Sequence, residues 1–272
     1  MSIALTVFQG RAGDHNDLAI PGAASIARHL SGLLNLAVCT VGEPETALGT
    51  DWRTELAAAL PALRQMQVRF EEILSRGDRP LSATSRCAVS LATLPVVAKH
   101  RPDACVVWFD AHGDLNTPAS TTSGYLGGLA LSGPAGTWDS GLGGGLRLES
   151  IILAGQRDLD PFEVELIKAV PLCHVPPGAG LAARLHQAIA GRAVYVHLDC
   201  DVLEPGIVPT DYMHANGLAL DGLRLACETI AQHEVIGIEI AEFQHAWHAG
   251  GPPVSPAPLI DALHPLIARL GA

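Results

Sequence analysis

The chain has 272 residues, 48% of them hydrophobic, a formal charge of -11 at pH 7 and a mean hydropathy of +0.26. This is material for one enzyme-sized globular core. The balance of 28 acidic against 17 basic residues argues against nucleic acid or an anionic membrane as partner, since a polyanion is repelled, and favours a small cationic ligand.

The amino terminus, MSIALTVFQGR, lacks a basic stretch followed by an apolar signal core. Six cysteines occur without a C-x-x-C pair, and no apolar run approaches the roughly 18 residues that cross a bilayer. A soluble, cytoplasmic protein with reduced thiols is expected.

In chain order, short apolar and β-branched runs predict strands at Ile3 to Phe8, Leu36 to Val41, Cys105 to Phe109, Ile151 to Ala154, Ala193 to Leu198 and Val235 to Ile240. Most lack strict alternation, as buried parallel strands do. Helical stretches lie between them at Gly22 to Leu30, Asp51 to Ser75, Ala88 to Lys99, Pro161 to Ala169, Leu181 to Ala190 and Asp221 to His233. Gly133 to Gly145 reads as a mobile surface loop, and Gly250 to Pro258 as a Pro-rich lead into a last helix. With no internal repeat and no linker-like segment, residues 1–272 read as one α/β domain with a mostly parallel, doubly wound sheet. Functional groups are then expected just beyond the carboxyl ends of the strands.

The acidic motifs stand there. WFDAHGDLNTP places Asp110, His112 and Asp114 at alternating positions directly after a strand, where an extended backbone would project all three to one side. VHLDCDVLEPG repeats the device with Asp199 and Asp201, and Glu242 follows a third strand. Alone, each D-x-D also reads as a helix cap or an Asx turn. Together, four carboxylates at one sheet edge repel one another unless cations neutralise them. Carboxylate oxygens with imidazole suit Mn(II) or a related divalent ion, and a pair of such ions can generate a nucleophile from water at neutral pH.

DAHGDLNTP, a TTSG segment, GQRDLDPFE, LDCDVLEP and IEIAEF, in that order between about residues 80 and 245, resemble the arginases and related ureohydrolases. The resemblance implies a three-layer α/β/α fold and two manganese ions held by Asp110, His112, Asp114, Asp199 and Asp201, with Asp114 also accepting a proton. It implies that Glu242 grips a guanidinium, a role that suits a bidentate carboxylate. Asn116, Ser123, Asp160 and Glu163 would contact the α-amino and α-carboxylate ends of an amino-acid substrate. Asp160 before Pro161 equally reads as a helix N-cap. A homo-oligomer is also implied by the resemblance.

Three positions depart from the family pattern. Cys87 stands where the first metal-ligating histidine is usual; a thiolate at a helix N-terminus can ligate, giving a softer site with one tight and one weak ion, or Cys87 is an inert buried thiol. Arg86 replaces an acid, and its charge would either damage the site or depress the Cys87 pKa. Gly127 replaces the histidine that passes a proton to the leaving amine, and His214, His245 and His248 are the nearest stand-ins. CAVSLATLPVVAKHRPDA, SGYLGGLALSG, WDSGLGGGL and HLDCDVLEPGIVPTDY are similar to the N-hydroxy-arginine hydrolases within the family. Hydrolysis of N-hydroxy-L-arginine to hydroxyurea and ornithine is therefore the expectation. The alternatives are an arginase, a hydrolase of agmatine or formiminoglutamate, or a catalytically silent, metal-poor binding protein.

Overall fold

Eight strands pair into one parallel sheet in the computed structural model, which describes residues 2–272. They are β1 (Ile3–Phe8), β2 (Cys39–Val41), β3 (Arg79–Ala83), β4 (Cys105–Phe109), β5 (Ile151–Ala154), β6 (Cys173–Val175), β7 (Val194–Asp199) and β8 (Val235–Ala241). The order is β2-β1-β3-β8-β7-β4-β5-β6, and every pairing is parallel. The mostly parallel sheet of expectation is thus wholly parallel among the described residues.

Both faces are covered, which is why the strands are apolar throughout rather than alternating. Along β4, Cys105, Val107 and Phe109 pack into one core layer, and Val106 and Trp108 into the other. The first layer lies under α1 (Ala19–Leu34), α5 (Leu181–Ile189), α6 (Leu220–Ile230) and α7 (Ala257–Leu270); the second lies under α2 (Trp52–Ser75) and α3 (Ser90–His100). Helix α4 (Pro161–Ala169) follows β5. In α2, Leu56, Ala59, Leu63, Met66, Phe70 and Ile73 recur at helical spacing on the buried face. Asp51 caps that helix, its Oδ1 accepting from the Arg53 and Thr54 amides. Among the described residues no helix is long and apolar enough to cross a membrane.

Two strands escape a reading of local pattern. Strand β3, an interior strand, carries Pro80 opposite Ala4 of β1, just before its pairing with β8 begins at Leu81, and proline is normally avoided in such strands because it cannot donate to the ladder. Strand β6 is a three-residue edge strand. The predicted strand from Leu36 contracts to Cys39–Val41. Residues 133–136 form a turn and 137–145 run on as bends and irregular, largely exposed chain, the surface loop expected, pinned where Gln67 Nε2 donates to the carbonyl of the buried Leu142 at 2.6 Å and Trp138 Nε1 donates to Ser132 Oγ at 2.8 Å.

For function, the decisive feature is that β3, β8, β7 and β4 are consecutive neighbours in the middle of the sheet. Their registers are level at the carboxyl ends, with Ala83 opposite Ile240, Asp199 opposite Ala241 and Phe109 opposite Leu198. The segments carrying Cys87, Glu242, Asp199 to Asp201 and Asp110 to Asp114 therefore emerge side by side.

Candidate metal centre and substrate cavity

After β4 the backbone does not stay extended. Asp110 Oδ1 accepts the His112 amide at 2.7 Å, and Asp114 adopts a left-handed φ of 53°. The three side chains thus converge through a turn, not through strand alternation. Beyond β7, Asp199 Oδ1 accepts the Asp201 amide at 2.7 Å and the chain enters a 3-10 turn at Cys200–Val202. Both D-x-D segments are therefore Asx-type turns as well as candidate ligand sets, and the two readings were never exclusive. Each carboxylate uses one oxygen to shape its loop.

Two donor groups, Cys87 with Asp110 and Asp114, and Asp110 with His112 and Asp201, each bring one ligand atom per residue within 4.8 Å of the others. They share Asp110. A third group of that compactness joins Cys87, Asp199 and Glu242. His112 Nδ1 lies 3.2 Å from Asp110 Oδ1 and 3.1 Å from Asp201 Oδ2. Asp110 Oδ2 accepts from Trp108 Nε1 at 3.0 Å, and Asp201 Oδ1 accepts the Ala111 amide at 3.0 Å.

Burial holds the Asp114 and Asp199 carboxyls well above their ordinary pKa, and the neighbouring acids push them further. Burial and Asp201 likewise raise Asp110. Burial would raise Asp201 too, but the hydrogen bond and charge of His112 hold it low. Burial opposes the His112 charge, yet hydrogen bonds to Asp110 and Asp201 drive its pKa far up. These residues therefore suit a divalent pair. Four buried carboxylates that resist joint ionisation in protein alone become compatible when cations replace the shared protons, and oxygen with imidazole is a fitting donor set.

Cys87 sits at the start of a 3-10 turn, with its amide donating to Glu242 Oε1 at 2.9 Å and its Sγ 3.0 Å from Asp199 Oδ2 and 3.2 Å from His197 Nε2. Its Sγ thus has polar neighbours on the cavity side, while the residue also belongs to the buried apolar cluster under α2 and α3. In the metal-free protein its pKa is raised, by burial and then by the Asp199 and Glu242 charges, in the direction opposite to the depression expected from the turn. His197, in turn, is stacked on Trp108 with centroids 3.5 Å apart and lies 3.1 Å from Glu239 Oε1. Its place two residues before Asp199 on the same strand was a readable signal that local reading passed over.

A cavity of about 250 Å³ opens over these groups, lined by Cys87, Asp114, Asp199, Asp201, Glu242 and His112 on its floor and by Asn116, Ser123, Asp158, Asp160, Glu163 and His214 around it. All the sequence-derived site residues except Asp110 line it; Asp110 is fully buried behind them. Asn116 Nδ2 donates to Asp160 Oδ2 at 2.6 Å. Glu163 accepts the Leu115 amide on Oε1 and the Asp160 amide on Oε2. Gly113 is required here, since a Cβ would come within 2.7 Å of the Glu163 carboxylate.

Tyr125 and Tyr212 also line the cavity and were not foreseen. Of the three candidate histidines, His214 is at the cavity, its Nε2 3.1 Å from His112 Nε2 and its Nδ1 3.5 Å from Asp158 Oδ2. His245 and His248 are not among the lining residues.

A parallel α/β/α fold whose central strand ends deliver carboxylate and imidazole donors into a cavity of amino-acid size is the arrangement a metal-dependent hydrolase needs. The chain belongs to the arginase family, which it matches over residues 17–250. It is 42% identical over 240 residues, 88% of each chain, to an N(omega)-hydroxy-L-arginine amidinohydrolase from Streptomyces lavendulae. It is 28% identical over 197 residues, 66% of each, to an arginase from Bacillus caldovelox. The crystal structure of arginase from Bacillus subtilis superposes with a TM-score of 0.84 at 19% identity, covering 98% of both chains. The arginase-like three-layer α/β/α fold expected from the sequence is therefore the fold found, with eight strands where six runs were expected.

Proposed function

We propose that the chain hydrolyses a guanidino C–N bond of an arginine-like amino acid, with N-hydroxy-L-arginine as substrate and hydroxyurea and ornithine as products. The observation that carries this is the convergence of Asp110, His112, Asp114, Asp199, Asp201 and Cys87 at one end of an amino-acid-sized cavity. The similarity to the Streptomyces enzyme supports the choice of substrate.

Asp110, His112, Asp114, Asp199 and Asp201 would hold two manganese ions, with Cys87 at the sixth position. When bound, such ions lower the pKa of water and supply a nucleophile at neutral pH. Asp114, deeply buried and more basic than an ordinary carboxylate, takes up the proton released as water attacks the guanidino carbon. Glu242 receives the N–H groups of the reacting end and aligns it over the floor. At the outer end, Asn116 paired with Asp160, together with Ser123 and Glu163, receives the α-amino and α-carboxylate groups. Glu163 is already bound to two backbone amides, so it acts mainly by holding the Asp160 segment against Leu115. His214, held by Asp158, is the imidazole at the cavity that can take the place of the absent shuttle at Gly127. In the cell the protein would act as a cytoplasmic homo-oligomer on a small cationic or weakly basic amino acid.

Ornithine release from N-hydroxy-arginine and arginine, and product formation from agmatine and formiminoglutamate, compared with manganese present, tests the reading. Faster turnover of N-hydroxy-arginine is expected. Preference for arginine would overturn the substrate assignment, and no hydrolysis of any of them with less than one metal per chain would overturn the mechanism.

A further inference from the structure

Arg86 has no solvent-exposed surface and lies beside the reaction cavity, not in it. Its Nη1 donates to Glu242 Oε2 at 2.8 Å and to Asp211 Oδ2 at 2.9 Å, and its Nε donates to Asp14 Oδ1 at 3.1 Å. Nη2 has no partner among the described residues. The other oxygen of Glu242 accepts the Cys87 amide at 2.9 Å, with the Tyr125 hydroxyl 3.5 Å away. His15 completes the surroundings, its Nδ1 3.6 Å from Asp211 Oδ2. The carboxylate that opens on the cavity thus carries a guanidinium of the protein's own before any substrate arrives.

A carboxylate accepts about four hydrogen bonds, so Glu242 keeps lone pairs free on both oxygens. Its charge, however, is already partly met by Arg86, which it shares with Asp14 and Asp211. A cationic substrate docking on Glu242 would face Arg86 across the same carboxylate, two like charges in a buried setting where their repulsion is little screened. A neutral group with N–H or O–H donors meets no such opposition. Arginine suits the task because its guanidinium stays charged at every working pH.

We propose that Arg86 is a specificity-determining positioning residue which, by occupying Glu242, makes the cavity select a guanidine-type group in its uncharged form over a guanidinium cation. An N-hydroxyguanidine reaches that form near neutral pH because its hydroxyl withdraws electrons; an unmodified guanidine does not. The inference rests on the reading of the site as one for arginine-like amino acids.

The test uses the manganese-loaded, full-length protein and two ligands of nearly equal shape: arginine, and citrulline, whose urea group is the uncharged isostere of the guanidinium. Calorimetry or competition gives the affinity ratio. The wild type is expected to bind citrulline at least as well as arginine. Arg86→Met should move the ratio about tenfold or more towards arginine. Arg86→Lys, which keeps the charge, should stay within about threefold of wild type. A folded Arg86→Met protein with the wild-type ratio overturns the proposal.

Loss of Arg86 leaves Asp14 and Asp211 without their counter-ion, and the single variant can fail to fold for that reason. Asp211→Asn provides the second measurement. It removes an acid that competes for Arg86, so the ratio should move further towards citrulline, and an unmoved or reversed ratio overturns the proposal. Failure of the wild type to hydrolyse N-hydroxy-arginine in preference to arginine would strike the substrate assignment instead, since the binding ratio is read without turnover.

Discussion

The ring of Tyr125 occupies the space that a side chain at Gly127 would need. A Cβ built on Gly127 would lie 2.8 Å from Tyr125 Cζ and 3.0 Å from its hydroxyl. The absence of a shuttle histidine at Gly127 is therefore coupled to an aromatic wall two residues earlier, where Tyr125 packs against His15 with centroids 4.3 Å apart and against Tyr212 at 5.7 Å.

Gly127→His alone is accordingly expected not to raise arginine hydrolysis, because the imidazole and the Tyr125 ring compete for one volume. Combining it with Tyr125→Ala should allow the imidazole into the cavity and raise turnover of arginine at least about tenfold, on the scale of a restored general acid. A single variant that gains arginine turnover as much as the double variant would show that Tyr125 is no obstacle.

Cys87→His replaces a thiol of raised pKa, 3.0 Å from Asp199, with an imidazole that ligates in its neutral form. Higher manganese content per chain and faster ornithine release from arginine are expected together. Metal analysis and the ornithine assay check this, and no change in either would return Cys87 to the role of a buried thiol.

His214→Ala removes the group 3.1 Å from the outer nitrogen of His112. Partners that orient a ligating imidazole affect metal affinity by roughly 10–100-fold. Manganese titration of the variant should therefore show weaker binding of that order, with thermal stability of the metal-free protein little changed.

The metal-free protein should lose stability as pH rises from the acid range towards neutrality. Asp114 and Asp199 have pKa values raised in the folded state, so between their unfolded and folded values the native protein holds more protons than the unfolded chain. The slope of stability against pH is then negative for these groups. Thermal melts across pH 4 to 8 with a chelator should show the decline for their contribution, and Asp199→Asn should flatten it. Manganese should raise the melting temperature most at the upper end of the range.

Gly22, in α1, packs against the segment that follows Glu242. A Cβ there would lie 2.8 Å from the Phe243 carbonyl carbon, 3.1 Å from the His245 amide nitrogen and closer still to the Phe243 oxygen. Gly22→Ala should cost about 1–3 kcal/mol, seen as a lower melting temperature. Turnover should fall as well, because the backbone that must move adjoins Glu242, itself held at a left-handed φ of 66°.

Most of the framework was legible along the chain. Apolar runs located six of the eight strands, and an acid just past three of them pointed to the sheet edge where the chemistry lies. Those signals are local: a buried parallel strand must be apolar on both faces, and a carboxylate after it has few other reasons to recur. Strand β3 stayed hidden because Pro80 contradicts the local rule that its neighbours override. The sequence by itself singled out the candidate donor set, and its resemblance to the family marked Cys87, Arg86 and Gly127 as departures.

Only the tertiary structure decided which groups those departures meet. The strand order β3-β8-β7-β4 brings Cys87 against Asp199 and Glu242. Arg86 meets Asp14, Asp211 and Glu242 across separations of 72, 125 and 156 residues. Contacts at such distances depend on how strands are ordered and how loops are buried, and periodicity within a window carries no trace of either. The Cys87 pKa reverses direction for the same reason: its sign is set by burial and by acids from two other strands, not by the turn on which the thiol stands.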